Sequence, residues 1–116
     1  MKEFIIYHNP RCSKSRQALQ LLREAGVEPT IIEYLKTPLE KDVLKNISQL
    51  LGLRPKDFVR KIENDFKDND LSKSIEDDNK IIDAMSLFPK IIERPIVVSG
   101  GKAVIGRPPE NVQKLI

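Results

Sequence analysis

The sequence predicts an α/β fold in which a mixed four-stranded sheet is interrupted by a helical insertion between its second and third strands. Within the first 34 residues, an apolar strand, an amphipathic helix and a second strand follow one another, an order typical of parallel strands. Near the other end of the chain, a glycine pair joins two apolar runs, which indicates an antiparallel hairpin. Helical periodicity dominates the middle of the chain, which places the insertion there.

The first strand is predicted at residues 4–7, where an apolar run ends at the turn residues Asn9-Pro10. From Ser13 onward the apolar residues recur at helical spacing, and Gly26 stands where a helix C-cap belongs. After Pro29, residues 30–34 predict the second strand.

The helical insertion is predicted at residues 37–88. It opens with Thr37-Pro38-Leu39-Glu40, a motif that combines capping-box spacing with proline at the first helical position. One apolar face continues from Leu39 to Leu51, and Gly52 is expected to end this helix.

The rest of the insertion is less regular. Pro55 is expected to open a shorter helix that includes Arg60. Residues 63–80 are polar and weakly periodic, which predicts a loop leading into a helix around residues 81–88.

The chain is predicted to close with strands at residues 95–98 and 103–105, joined at residues 99–102, and with a short helix from Pro108-Pro109. The length of 116 residues and the lack of a linker or repeat predict one domain, 1–116. Its core is expected at about 1–36 and 89–116, with the helical insertion between them.

Composition excludes several classes of protein. The charges, 20 basic against 17 acidic, give +3 without a dense basic block, so no nucleic-acid partner is expected. The longest apolar run is residues 4–7, which excludes a membrane span and disfavours a cleaved secretion signal. With one cysteine and one histidine, neither an intramolecular disulfide nor a Cys/His zinc site is available. An unpaired thiol fits a reducing compartment, so a cytoplasmic location is expected.

Cys12 is the candidate reactive residue because it stands between the first strand and the first helix. Free N–H groups and the helix dipole at that position favour a thiolate, and basic neighbours lower a thiol pKa further. A buried structural cysteine is the alternative, which a polar, proline-containing loop disfavours. The nearby basic and hydroxyl side chains are Arg11, Lys14, Arg16, Ser13 and Ser15. The two hydroxyls are expected within hydrogen-bonding reach of the sulfur.

Two further residues lie next to this loop. His8 is a candidate for tuning the thiolate or handling a proton, with a local hydrogen bond at the strand end as the alternative. Asn9 is a candidate for binding substrate, with shaping of the turn as the alternative.

The chain resembles the glutaredoxin-coupled arsenate reductases in three segments, His8–Arg16, Glu93–Val97 and Gly106–Glu110. The similarity covers essentially the whole chain. The resemblance implies a thioredoxin-like core with a helical insertion. It also implies reduction of arsenate to arsenite with glutathione as co-substrate, glutaredoxin as protein partner and no bound cofactor or metal.

The same resemblance assigns roles to residues. Cys12 matches the nucleophile, His8 the residue that tunes the thiol, and Pro95 the cis-proline that faces the active-site loop. The arginines that match the oxyanion-binding positions are Arg60, Arg94 and Arg107. Guanidinium groups suit such anions because their planar fork binds two oxygens at once.

Two other functions remain open. Related redox regulators that bind RNA polymerase share the fold, and Gly52 is compatible with them, but their second cysteine would stand at position 15, where this chain has Ser15. The other alternative is a glutathione-dependent reductase of a different substrate.

Overall fold

Four strands form a mixed sheet in the computed structural model, which describes residues 3–116. The strands are β1 (Phe4–Tyr7), β2 (Thr30–Ile32), β3 (Ile96–Ser99) and β4 (Lys102–Ile105). Their order across the sheet is β2-β1-β3-β4. β1 pairs in parallel with β2 and antiparallel with β3, which in turn pairs antiparallel with β4. The predicted mixed α/β sheet is therefore confirmed, although β2 ends at Ile32 rather than at residue 34.

The helices fall between and after these strands. They are α1 (Ser13–Glu24), α2 (Lys41–Leu51), α3 (Pro55–Phe58), α4 (Asn64–Asp68) and α5 (Asp78–Leu87). Three 3₁₀ helices cover Leu71–Ser74, Pro89–Ile91 and Pro109–Leu115. Four α-helices thus stand between β2 and β3, which confirms the helical insertion. No helix among residues 3–116 is long and apolar enough to cross a bilayer.

The described residues divide into two compact units. The first unit comprises the residues up to Thr37 together with Arg94–Ile116, and the second is Pro38–Glu93. The helical insertion was predicted to end at about residue 88, and the second unit extends a few residues further, to Glu93.

In the first unit, one face of the sheet is covered by α1 and the last 3₁₀ helix. Alternating strand residues point to this face, and α1 contributes an apolar stripe at helical spacing. The buried side chains are Phe4, Ile6, Ala18, Leu19, Leu22, Val97, Val112 and Leu115. Each large aliphatic side chain buried here contributes roughly 1.5–3 kcal/mol to folding. This core fixes α1 on the sheet and thereby fixes the loop between β1 and α1.

In the second unit, α2 and α3 pack against α5, whose inward side chains Ile81, Ile82 and Met85 are buried. Asp77 caps α5 by accepting a hydrogen bond from the Lys80 amide at 3.1 Å. Gly52 ends α2 with φ of 68°, a left-handed conformation in which glycine carries no steric penalty. The predicted end of this helix is confirmed.

The predicted start of α2 is wrong. The helix begins at Lys41 with Glu40 at the N-cap, not at Thr37-Pro38. The Thr37 amide donates instead to the Glu33 carbonyl at 3.1 Å, in a turn that precedes the helix. The Leu39 carbonyl is occupied by the Ser86 hydroxyl at 2.7 Å rather than by an amide of the helix. Contacts distant in sequence therefore override the local capping signal.

Two further predictions in this unit need correction. Arg60 lies outside α3, because Val59 is extended and forms a bridge to Ile92. Residues 63–80 are not a simple loop, since they contain α4 and the 3₁₀ helix Leu71–Ser74. Phe66 anchors α4 by burying its ring, but five residues are too few to show helical periodicity.

Candidate active site

Cys12 is the N-cap residue of α1 and follows the loop that leaves β1. Its backbone is extended, with φ of −90° and ψ of 122°, and its carbonyl accepts the Arg16 amide at 3.0 Å. The first helical turn carries the basic side chains Lys14 and Arg16. The sulfur therefore lies at the positive end of a twelve-residue helix, where an anion is favoured.

Asn9 shapes the loop that presents this cysteine. Its side-chain Oδ1 accepts the Arg11 amide at 3.0 Å, and its carbonyl accepts the Cys12 amide at 3.0 Å. Both contacts close a tight turn around Pro10. The structure thus supports the turn-forming role of Asn9, while substrate binding by its side chain stays a prediction.

His8 and Ser15 form a buried pair beside the loop. His8 Nδ1 lies 2.6 Å from the Ser15 hydroxyl oxygen, which also accepts the Asn9 amide at 3.1 Å. Burial lowers the pKa of His8, and Arg23 and Arg16 lower it further against the opposing effect of Glu33. The imidazole is therefore neutral at neutral pH. Its link to the cysteine runs through Ser15 rather than through a positive charge on the ring.

The hydrogen bond from Ser15 to the cysteine comes from the backbone. The sequence pointed to the hydroxyl of Ser15, but that hydroxyl is bound to His8 and to the Asn9 amide. It is the Ser15 backbone amide that hydrogen-bonds the Cys12 sulfur and lowers its pKa. Ser15 thus contributes twice, once to the sulfur and once to holding His8.

Opposing effects set the pKa of Cys12. Burial raises it most strongly, since the residue is only 9% exposed. The Ser15 amide, the Arg94 guanidinium and the Lys14 amide act in the opposite direction, and together they lower the pKa below its ordinary value. The thiolate fraction near neutral pH is therefore larger than for an ordinary cysteine.

Two arginines from the second half of the sheet reach this cysteine. Arg107 Nη2 lies 3.5 Å from the Cys12 sulfur, and Arg107 Nε donates to the Arg94 carbonyl at 2.8 Å. Arg94 makes the main side-chain contribution to the lowered thiol pKa, whereas Arg107 donates a hydrogen bond to the sulfur. A guanidinium at 3.5 Å also attracts the thiolate on Coulombic grounds. Cys12, Arg94 and Arg107 therefore form one cluster in the first unit.

Each of these arginines precedes a cis-proline. The Arg94–Pro95 and Arg107–Pro108 bonds are both cis, which agrees with the cis-proline that the resemblance implies at Pro95. Gly106 connects the two segments by donating its amide to the Pro95 carbonyl at 2.8 Å. A Cβ at Gly106 would lie 2.7 Å from Pro95 Cγ and 3.3 Å from Ala18 Cβ. The absence of a side chain at Gly106 thus allows the Arg107 segment to pack this close to Pro95.

Arg60 lies in the second unit and is held by acidic residues. Its Nε lies 3.3 Å from Glu63 and its Nη1 lies 3.0 Å from Glu93. Its side chain is 17% exposed, so these ion pairs are partly shielded from water. The sequence did not indicate Glu93, which is 33 residues away in the chain, and Glu63, three residues away, lies in a segment that was predicted to be a loop. Oxyanion binding by Arg60 stays a prediction.

One residue near this cluster, Asn111, has a role that the sequence does not predict. Asn111 donates hydrogen bonds from its side chain to the Ile105 and Arg107 carbonyls. The asparagine occupies no recognisable capping or turn motif, so only the folded structure shows its partners.

Within residues 3–116, no group of His, Cys, Asp and Glu side chains is arranged to hold a metal ion.

The chain is also similar to known proteins over its length. Residues 7–115 match the model of the ArsC family, a range that includes every candidate site residue. An arsenate reductase of Neisseria meningitidis serogroup A is 40% identical over 117 residues and is covered in full, as is this chain. The protein YfgD of Escherichia coli K12, whose name describes it as uncharacterized, is 46% identical over 116 residues, covering 99% of this chain and 98% of that protein. Among solved structures, an arsenate reductase from Vibrio cholerae superposes with a TM-score of 0.94 at 43% identity, covering 98% of each chain.

Proposed function

The chain belongs to the ArsC family, and from this membership we propose that it reduces arsenate to arsenite through a Cys12 thiolate, with glutathione and glutaredoxin as the external thiols. The observation that carries the proposal is the placement of the cysteine. Its sulfur lies at the N-terminus of α1 and 3.5 Å from the Arg107 guanidinium. An oxyanion at this position would meet both the attacking sulfur and a planar cationic fork.

The first chemical step is attack of the Cys12 thiolate on arsenic. A Cys12–arsenic bond forms and one arsenic–oxygen bond breaks, so an oxygen leaves as water after protonation. Arg94 and Arg107 would neutralise the charge on the remaining oxygens, and Arg60 is proposed as a third contributor. The lowered pKa increases the fraction of Cys12 that is ionised at the start of this step, which reduces the need for a separate base.

The second step requires a thiol from outside the chain. Reduction of arsenic from the pentavalent to the trivalent state takes two electrons, and two thiol sulfurs supply them by forming one disulfide. The chain contains one cysteine. Glutathione is proposed as the second thiol: its sulfur bonds to the Cys12 sulfur, the Cys12–arsenic bond breaks, and the electron pair of that bond passes to arsenic. Arsenite and a Cys12–glutathione mixed disulfide are left. Glutaredoxin then restores Cys12 by thiol–disulfide exchange, a scheme that fits a reducing cytoplasmic environment.

The test is a coupled assay that follows NADPH oxidation with arsenate, glutathione, glutathione reductase and glutaredoxin. We expect arsenate-dependent turnover in the native protein and its loss in Cys12→Ser. Each component is omitted in turn as a control. Substantial turnover by Cys12→Ser would contradict the proposed nucleophile.

The same assay separates the other functions. Turnover with another oxidised substrate but not with arsenate would instead indicate a glutathione-dependent reductase of that substrate. Capture of RNA polymerase subunits together with a lack of turnover would indicate the regulator.

A further inference from the structure

We propose that Asn111 is a positioning residue that holds the Arg107 guanidinium beside the Cys12 sulfur. The inference rests on the proposed role of Cys12 as nucleophile and adds a residue that touches neither the sulfur nor the substrate. Its evidence is a set of hydrogen bonds that surround the Gly106-Arg107 segment.

The Asn111 side chain bridges the carbonyls on both sides of Gly106. Its Nδ2 donates to the Ile105 carbonyl at 3.1 Å and to the Arg107 carbonyl at 3.0 Å. Both hydrogens of one amide nitrogen are therefore used. Aspartate of the same shape has no such donor, and serine has one donor instead of two.

Asn111 is itself held rigidly. It lies in the 3₁₀ helix Pro109–Leu115, and its backbone amide donates to the Pro108 carbonyl at 3.0 Å. Val112 and Leu115 of the same helix are buried in the core of the first unit. The hydrogen bonds of Asn111 thus tie the Arg107 backbone to the packed core.

On its side-chain end, Arg107 is fixed by a different contact. Its Nε donates to the Arg94 carbonyl, while Nη2 faces the sulfur. The guanidinium is planar, so a change in the Arg107 backbone that tilts the fork would weaken both contacts together. Loss of Asn111 is therefore expected to reduce the fraction of Cys12 present as thiolate.

The test measures the rate of iodoacetamide alkylation of Cys12 against pH, in native protein, Asn111→Ala, Arg107→Ala and the double variant. At a pH below the native thiol pKa, we expect Asn111→Ala to react at least about threefold more slowly, because the alkylation rate follows the thiolate fraction. The double variant is expected to match Arg107→Ala, since Asn111 acts through Arg107. Gln113→Ala, exposed in the same 3₁₀ helix, serves as the matched control and should keep the native profile.

The outcomes are distinct. A native profile in Asn111→Ala, or a further slowing when it is added to Arg107→Ala, would overturn the inference. If Asn111→Ala fails to fold, Asn111→Ser replaces it, and a native profile in that variant would overturn the inference as well. Alkylation needs no arsenate, so failure of the proposed arsenate reduction would leave this result interpretable.

Discussion

At the scale of single residues, the reactivity of Cys12 depends on partners that outweigh its burial. Burial alone would keep the sulfur protonated, whereas the Ser15 amide and the Arg94 guanidinium favour the anion. A residue only 9% exposed thus combines a shielded position with a lowered pKa. Ionisation and access are therefore controlled separately at this site.

The first prediction concerns this ionisation. Native Cys12 should be alkylated by iodoacetamide at pH values below those needed for an ordinary thiol, and Arg94→Ala should move the profile to higher pH because a cation and a hydrogen bond are lost. Arg94→Lys, which keeps the charge but loses the fork, should fall between them. Superimposable profiles for native protein and Arg94→Ala would show that Arg94 does not tune the thiol.

The second prediction concerns His8, the one histidine in the chain. Its pKa in the folded protein lies below the ordinary value of 6.5, so the unfolded chain takes up the proton first as the pH falls. The stability due to neutral His8 is complete above 6.5 and is lost as the pH falls through that value toward the folded pKa.

Urea denaturation at about pH 7.5 and about pH 5.5 measures this loss. The free energy of unfolding should decrease at the lower pH in native protein and decrease less in His8→Gln, because glutamine does not titrate. An equal decrease in both proteins would place the titrating group elsewhere.

The residues of the site differ in how far the sequence could reveal them. Cys12 was predictable because a strand, a polar loop and a helix start surround it within a few positions. Asn111 was not, because its hydrogen bonds to the carbonyls four and six residues earlier follow no recognisable motif. Glu93 was not, because it pairs with Arg60 across 33 residues of chain. Glu63 lies three residues from Arg60, but in a segment predicted to be a loop, where that spacing implies no contact. Ser15 was indicated by its hydroxyl, whereas its bond to the sulfur comes from its backbone.

At the scale of elements, long amphipathic segments were predictable and short ones were not. The sequence indicated α1, α2 and α5 through apolar residues on one face. It missed α4, whose five residues depend on one buried ring, Phe66. The start of α2 was misplaced because a contact distant in sequence intervenes. The Leu39 carbonyl accepts a hydrogen bond from the hydroxyl of Ser86 in α5, 47 residues further along the chain.

The third prediction concerns the packing of the loop after β4 against Pro95. Gly106→Ala would force a methyl group to within 2.7 Å of Pro95 Cγ, so this change should lower the free energy of unfolding by about 1–3 kcal/mol. Because the segments carrying Arg94 and Arg107 would separate, alkylation of Cys12 at low pH should also slow.

Gly101→Ala is the matched control for this change. A Cβ at Gly101 would have nothing within 4 Å, so the stability should stay within about 0.5 kcal/mol of native. Thermal unfolding and urea titration provide the comparison. Equal free energies of unfolding of the two alanine variants would contradict the prediction, because the loop after β4 would then accommodate the methyl group without loss of stability.

At the scale of the whole molecule, the mixed sheet and the central helical insertion follow from the sequence, while the pairing of β1 with β3 does not. The apolar runs and the glycine pair predict one parallel and one antiparallel part of the sheet, and both are present. The second unit extends to Glu93 rather than to about residue 88, and its last residues pair with the segment after α3, since the Arg60 amide donates to the Ile91 carbonyl and the Glu93 amide to the Phe58 carbonyl. Such backbone contacts leave no pattern in the amino-acid order.

The fourth prediction follows from the count of thiol groups in the chain. With one cysteine, turnover stalled by omission of glutaredoxin should leave one glutathione on Cys12 and none elsewhere. Intact-protein mass spectrometry detects this adduct, and Cys12→Ser should lack it. Full multiple turnover with thioredoxin, thioredoxin reductase and NADPH in the complete absence of glutathione would refute the mixed-disulfide mechanism.

The hairpin between β3 and β4 has a practical consequence for labelling. Gly100 and Gly101 lie beyond one end of β3 and Pro95 lies beyond the other, about 16 Å away for five residue steps of extended chain. Both glycines are exposed, and neither would bring a Cβ against another residue. A short peptide tag inserted between them would therefore carry a fluorophore or an immobilising group at a distance from the thiol. Attachment through this turn also leaves the single native thiol, Cys12, unmodified and available for measurements of its reactivity.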